Sequence, residues 1–149
     1  IIGGGIGIFP LYEFGKEAQK EANTNIYLGF RSKDFVVLED EFKNVANNLI
    51  ITTDDGTYGN SGFAINYLEK DLNEKNIDAI YACGPLPMLK AVKKLAESKN
   101  IFCQISLEQR MACGVGACMG CSVKLTTEDV NYARVCKDGP VFDSKSVEI

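Results

Sequence analysis

The sequence predicts an α/β fold, with a parallel-sheet domain over residues 1–104 followed by a small C-terminal module over residues 105–149. Three observations lead there. Short apolar runs alternate with helically spaced apolar residues through the first hundred positions, and a glycine-rich turn follows the first run. After about residue 105 the chain changes to short loops rich in Gly, Ala and Cys.

The candidate strands are the stub Ile1-Ile2, then Ile26–Phe30, Asn48–Thr53, Ile77–Ala82 and Ile101–Ile105. Between them, Phe35, Leu38, Phe42 and Val45 recur at helical spacing, as do Ala64, Tyr67, Leu68 and Leu72, and then Met88, Val92 and Leu95. A βαβ rhythm of this kind implies a parallel sheet covered on both faces, which binds ligands at the carboxyl ends of its strands. Three turns fall at that edge: Gly3 to Gly7, Thr53 to Gly59, and Cys83-Gly84-Pro85. In the C-terminal module Ser122–Leu125 is the one predicted strand.

Composition narrows the function. A chain of 149 residues with 46% hydrophobic and 24% charged residues has the make-up of a folded globular protein. Its net charge of −4, with acids and bases interspersed, argues against nucleic acid as a partner. The apolar run Ile1 to Leu11 is broken by glycines and falls short of the roughly 20 residues that cross a bilayer, so neither a membrane helix nor a signal peptide is expected, and the cytoplasm is the expected compartment. The glycine turn follows a strand stub with no initiator methionine, which leads us to expect further chain upstream.

The six cysteines carry the chemistry, and four of them crowd into positions 113 to 136. With no histidine in the chain, the commonest zinc ligand and general acid–base group is absent, and a bound metal must be held mainly by sulfur. The spacing Cys113-x4-Cys118-x2-Cys121 with a distant Cys136 is that of plant-type [2Fe–2S] ferredoxins. Gly114, Gly116, Ala117 and Gly120 allow the close main-chain approach that a bulky inorganic core demands. A four-cysteine zinc site is the alternative, although such sites usually pair two short knuckles and only Cys118-x2-Cys121 has that form. Arg134 and Lys137 flank Cys136, either raising the cluster's reduction potential or simply facing solvent. Cys103 reads as a small core residue.

The glycine turn has the character of a pyrophosphate cradle, but G-x-G-x-x-G/A is not met: counted from Gly3 the last position is Ile8, and from Gly5 it is Pro10. Pro10 suits the first turn of a helix. Strand two ends in Gly29-Phe30-Arg31 without the ribose-binding acid, which leaves NAD and NADP both open.

Taken together, Gly4 to Pro10, Asp54 to Gly59 and Tyr81 to Pro85 resemble the pyridine-nucleotide domain of ferredoxin reductase-like flavoproteins. Ser106 to Cys118 and Arg134 to Phe142 resemble, more narrowly, the electron-transfer subunits of NAD-dependent dihydroorotate dehydrogenase. The resemblance covers essentially the whole chain. It implies a nucleotide site at Gly4, Gly5 and Gly7, with Thr53, Asp54, Asp55, Gly56, Cys83, Gly84 and Pro85 near the ribose and nicotinamide. It also implies that Cys113 and Cys118 hold one iron of a [2Fe–2S] cluster, and Cys121 and Cys136 the other.

The family's electron path runs from dihydroorotate through FMN in a partner catalytic subunit, across the cluster, to FAD and NAD, within a heterotetramer serving pyrimidine synthesis. The catalytic base is expected in the partner. The family's FAD sits mainly on an N-terminal barrel absent from this sequence, so the chain alone is expected to be inactive. A related iron–sulfur flavoprotein subunit, serving sulfide, sulfite, hydrogenase or ferredoxin–nicotinamide chemistry, is one alternative; a zinc-stabilised binding module is the other.

Overall fold

The computed structural model describes residues 1–126 and 131–149. A seven-stranded sheet forms the centre, and its strands follow the apolar runs closely: β1 (Ile2–Gly4), β2 (Asn25–Phe30), β3 (Asn48–Thr53), β4 (Asn60–Ser61), β5 (Ala79–Cys83), β6 (Phe102–Ser106) and β9 (Val141–Asp143). The spatial order is β4-β3-β2-β1-β5-β6-β9. All neighbours run parallel except β9, which lies antiparallel on β6. The predicted parallel sheet therefore gains one antiparallel edge strand, and that strand comes from the C-terminal segment.

Helices cover both faces. α1 (Ile8–Ala18) and α2 (Glu39–Lys43) enclose one core, in which Ile26, Leu28 and Phe30 of β2 meet Ile8, Phe42 and Val45. Their spacing of two is what a pleated strand needs to place three side chains on one face. α3 (Ala64–Glu74) and α4 (Leu86–Lys99) cover the other face, where Tyr27, Leu68, Leu89 and Val92 are buried. This second core runs on without a break into the C-terminal module through Cys121, Val123, Ala133, Val135 and Val147.

That module is a three-stranded antiparallel sheet of β7 (Ser122–Leu125), β8 (Tyr132–Arg134) and β10 (Val147–Glu148), with the short helix α5 (Val135–Asp138) after β8. Lys93 of α4 donates to the carbonyls of Ser144 and Val147, pinning the module's end to the larger domain. Among the described residues no helix is long and apolar enough to cross a membrane.

One predicted helix is corrected. Phe35, Leu38, Phe42 and Val45 do not share a single helix: a 3-10 turn spans Lys33–Phe35, and Leu38 takes a left-handed backbone, φ 59°, before α2 begins at Glu39. Three acids, Glu39, Asp40 and Glu41, fill the first turn of α2, where they complement the helix dipole. Phe35 is left exposed, under the Arg31 guanidinium.

Polar burial is fully paired among the described residues, with no buried side-chain nitrogen or oxygen lacking a partner. The main buried pair is the Tyr27 hydroxyl donating to Asp71 at 2.6 Å, with Lys75 at 2.7 Å on the same carboxylate oxygen. Burial pushes the Asp71 carboxyl up, but the bonds from Lys75 and Tyr27 outweigh it and hold the group below the ordinary carboxylate range. A depressed carboxylate stabilises the fold above its unfolded pKa, and that contribution is lost as pH falls through the folded value. Replacing Tyr27 by Phe should cost about 1.5–3 kcal/mol of unfolding free energy at neutral pH, the worth of a buried hydrogen bond to a charged group. In urea titrations the difference from the parent chain should shrink as pH falls below the ordinary carboxylate range, where the charged acceptor is lost.

Candidate functional site

The order of the sheet creates the site. From β1 the chain builds outward to β2, β3 and β4 on one side, and β5 and β6 lie on the other, so strand order reverses between β1 and β5. A crevice opens outside the carboxyl ends of strands at such a point. The two turns that flank it are the glycine turn after β1, a 3-10 turn over Gly5–Gly7 leading directly into α1, and Cys83-Gly84-Pro85 after β5.

These turns touch backbone to backbone, which is why glycines are required. A Cβ on Gly7 would lie 2.6 Å from the Cys83 carbonyl, and one on Gly84 would lie 2.9 Å from the Gly4 nitrogen. A Cβ on Gly4 would fall 2.8 Å from Pro85 Cδ and 3.0 Å from Met88 Sδ. The cradle is left open only because those side chains are missing.

Two grooves meet at the turns. The first, of about 430 Å³, is lined by Gly4, Gly5, Asp54 and Pro85 together with Phe30, Arg31, Phe63 and Met88. The second, of about 490 Å³, runs from Gly4, Gly5, Gly7, Gly84 and Pro85 to Glu108, Gln109, Lys124 and Ile149, joining the nucleotide-type edge to the C-terminal module.

Of the residues expected near a nucleotide, Thr53, Asp55 and Gly56 line neither groove. Thr53 is fully buried; its hydroxyl donates to the Tyr58 carbonyl and accepts from the Tyr58 N–H. Asp55 accepts from the backbone and hydroxyl of Thr57, and Gly56 turns the chain at φ 71°. They shape the loop that presents Asp54. Cys83 is buried, and burial pushes its thiol up despite a bond with Ser106. Phe63, 62% exposed on the groove wall, carries no motif in the sequence and is a lining residue that motif reading passes over.

Three of the four clustered cysteines, Cys113, Cys118 and Cys121, lie on the loop before β7, and Cys136 lies on α5. Cys113 and Cys118 are exposed, Cys121 is buried and Cys136 half-buried. Left-handed backbone at Gly114 (φ 67°), Gly116 (φ 80°) and Met119 (φ 60°) coils the loop so that main-chain N–H groups face the sulfurs. Ala117 donates to Cys113 at 3.3 Å, Gly120 to Cys118 at 3.4 Å and Cys136 to Cys121 at 3.5 Å.

The N–H groups of Val115 and Cys118 bring the Cys113 thiol down to about 6, and the Cys136 N–H lowers that of Cys121. Cys136 is raised by its bond to Cys121. At Cys113 and Cys121 the backbone thus favours thiolate, the form that binds metal. Among the described residues, no three His, Cys, Asp or Glu side chains converge on a point where a single ion could sit.

Residues 1–94 match the oxidoreductase NAD-binding domain, and residues 108–148 match the iron–sulfur cluster binding domain of dihydroorotate dehydrogenase B. The chain belongs to the oxidoreductase NAD-binding family. Curated relatives carry both parts in the same order: the electron transfer subunit of dihydroorotate dehydrogenase B (NAD(+)) from Caldanaerobacter subterraneus is 41% identical over 99% of this chain, and that from Fusobacterium nucleatum 46% identical over all of it. The chain spans 58% and 57% of their respective lengths. Among solved structures, a chain of the NADH-dependent reduced ferredoxin-NADP oxidoreductase superimposes with a TM-score of 0.82 at 34% identity, covering 99% of this chain and 52% of its own length.

The crossing of the two turns generates a contrast. Gly7→Ala should destabilise the NAD-binding domain by about 1–3 kcal/mol, because the new methyl meets backbone that cannot yield. Gly15→Ala, inside α1 with its nearest neighbour at an ordinary 3.5 Å, should stabilise it by about 0.5–1 kcal/mol. Urea unfolding of the two variants measures both signs.

Proposed function

We propose that this chain is the NAD-binding and cluster-bearing part of a dihydroorotate dehydrogenase electron-transfer subunit. It would relay electrons between an FMN-containing catalytic subunit that oxidises dihydroorotate to orotate and the FAD and NAD of its own subunit. The observation that carries this reading is the match of residues 108–148 to the iron–sulfur cluster binding domain of dihydroorotate dehydrogenase B, with backbone N–H groups turned onto the sulfurs of Cys113, Cys118 and Cys121. Four cysteine sulfurs suit two irons taking two each, and their spacing lacks the two short knuckles usual at a four-cysteine zinc.

Cys113 and Cys118 would hold one iron, and Cys121 and Cys136 the other. A [2Fe–2S] cluster takes and gives electrons singly, which suits a position between two flavins. Gly4, Gly5, Asp54 and Pro85 would receive the nicotinamide nucleotide in the first groove, with Gly7, Cys83 and Gly84 setting the crevice between the turns. Thr53, Asp55 and Gly56 would act through the loop that carries Asp54. The second groove, between that crevice and the cysteine module, is where an isoalloxazine ring would lie in reach of both. In this division of labour residues 1–104 serve the nucleotide and residues 105–149 the cluster, in a cytoplasmic heterotetramer with the catalytic subunit.

A second reading draws on the likeness to the NADH-dependent ferredoxin-NADP oxidoreductase chain, under which the same cluster would serve a different donor. The two separate in one experiment. The chain, reconstituted with iron and sulfide in the absence of air, is mixed with an FMN-containing dihydroorotate dehydrogenase catalytic subunit and then with dihydroorotate. Bleaching of the cluster's visible absorption, lost with Cys118→Ser and Cys136→Ser, is the expected result. A cluster that dithionite reduces but the dihydroorotate-charged partner does not would rule out the dihydroorotate assignment.

A further inference from the structure

The loop from Cys113 to Cys118 is exposed except at Gly116, which is buried. Two side chains from the segment carrying the fourth cysteine converge on that glycine. Arg134 donates from Nη1 to the Gly116 carbonyl at 2.8 Å. The stem of Lys137 occupies the space a side chain would need, with Cδ 2.6 Å from an ideal Gly116 Cβ.

The guanidinium is held from behind as well. Arg134 Nε donates to Asp138 Oδ2 at 2.9 Å and Nη2 to Oδ1 at 3.2 Å, while the Arg134 backbone N–H reaches Oδ2 at 2.8 Å. An exposed ion pair of this kind contributes little to stability, so its value lies in geometry. The planar fork satisfies a carboxylate on one edge and a carbonyl on the other, which an ammonium cannot do. The loop carrying Cys113 and Cys118 is thereby joined to the helix carrying Cys136.

We propose that Arg134 is a positioning residue for the cluster: locked by Asp138, it latches the Cys113–Cys118 loop through Gly116 to the helix that carries Cys136. The latch holds the thiols of the loop and that of the helix at a spacing one cluster can join. The inference rests on the reading that the four cysteines bind a [2Fe–2S] cluster, and it assigns Arg134 neither to solvent nor to charge alone.

The test compares the parent chain with Arg134→Lys, Arg134→Gln and Asp138→Asn after anaerobic reconstitution with iron and sulfide. Iron release to a chelator, midpoint potential and melting of the cluster-free chain are measured on each. Loss of a residue supporting a metal ligand commonly costs about 10- to 100-fold in metal retention, so release should be faster by that order in Arg134→Gln and Asp138→Asn. Arg134→Lys, which keeps the charge without the fork, should fall between them and the parent. The potential should drop when the positive charge is removed in Arg134→Gln and should not drop in Asp138→Asn, although both release iron quickly. Cluster-free melting should be unchanged throughout.

Parent-like release in Arg134→Gln and Asp138→Asn overturns the latch, as does parent-like release in Arg134→Lys, which would leave charge as the whole effect. A matching fall in cluster-free melting would assign Arg134 to general stability and overturn it too. A parent chain that takes up no iron and sulfide would overturn the cluster reading itself, a result distinct from all of these.

Discussion

Three residue pairs along one antiparallel edge, Gln104 with Asp143, Ile105 with Phe142 and Ser106 with Val141, decide where the cysteine loop can be. The chain leaves the sheet at Leu107, whose N–H donates to the Pro140 carbonyl at 2.9 Å, and returns to the same edge at β9. All four clustered cysteines lie on the excursion between these points. It departs from the carboxyl end of β6, next to β5 and its Cys83-Gly84-Pro85 turn. Position beside the crevice therefore follows from strand pairing, reinforced by Lys93 and by a hydrophobic core common to both parts.

That arrangement gives the two halves different physical tasks. The sheet edge is built by exclusion: glycines at positions 4, 7 and 84 keep side chains out of the space where the turns cross. The cysteine loop is built by donation, with left-handed backbone turning N–H groups toward sulfur. A loop that stabilises thiolates in the absence of metal lowers the proton cost of binding one.

Much of this was legible in the sequence where the information is local. The spacing of Cys113, Cys118 and Cys121 describes a single loop, and the alternation of Ile26, Leu28 and Phe30 describes one strand face. The glycine turn was readable as a cradle although it breaks the usual dinucleotide spacing. Features that depend on distant partners were not readable. β8, β9 and β10 are two or three residues long and exist because of strands elsewhere, so they leave no periodic trace. A left-handed leucine at position 38 has no signature, and its apolar neighbours kept a helical spacing across the break. Whether Thr53, Asp55 or Phe63 faces the groove depends on how the loop after β3 closes through Tyr58, which spacing does not encode. Spacing alone leaves Arg134 between two roles, because its contact to Gly116 spans eighteen residues.

Cys113, Cys118, Cys121 and Cys136 are proposed to hold one two-iron cluster together. The direct measurement is metal and acid-labile sulfide content of the anaerobically purified chain, combined with electron paramagnetic resonance before and after dithionite. The account predicts two irons and two sulfides per chain, silent when oxidised and giving a single spin-half signal when reduced, since a [2Fe–2S] cluster takes one electron. A colourless chain with one zinc and no sulfide, unchanged by dithionite, would contradict it.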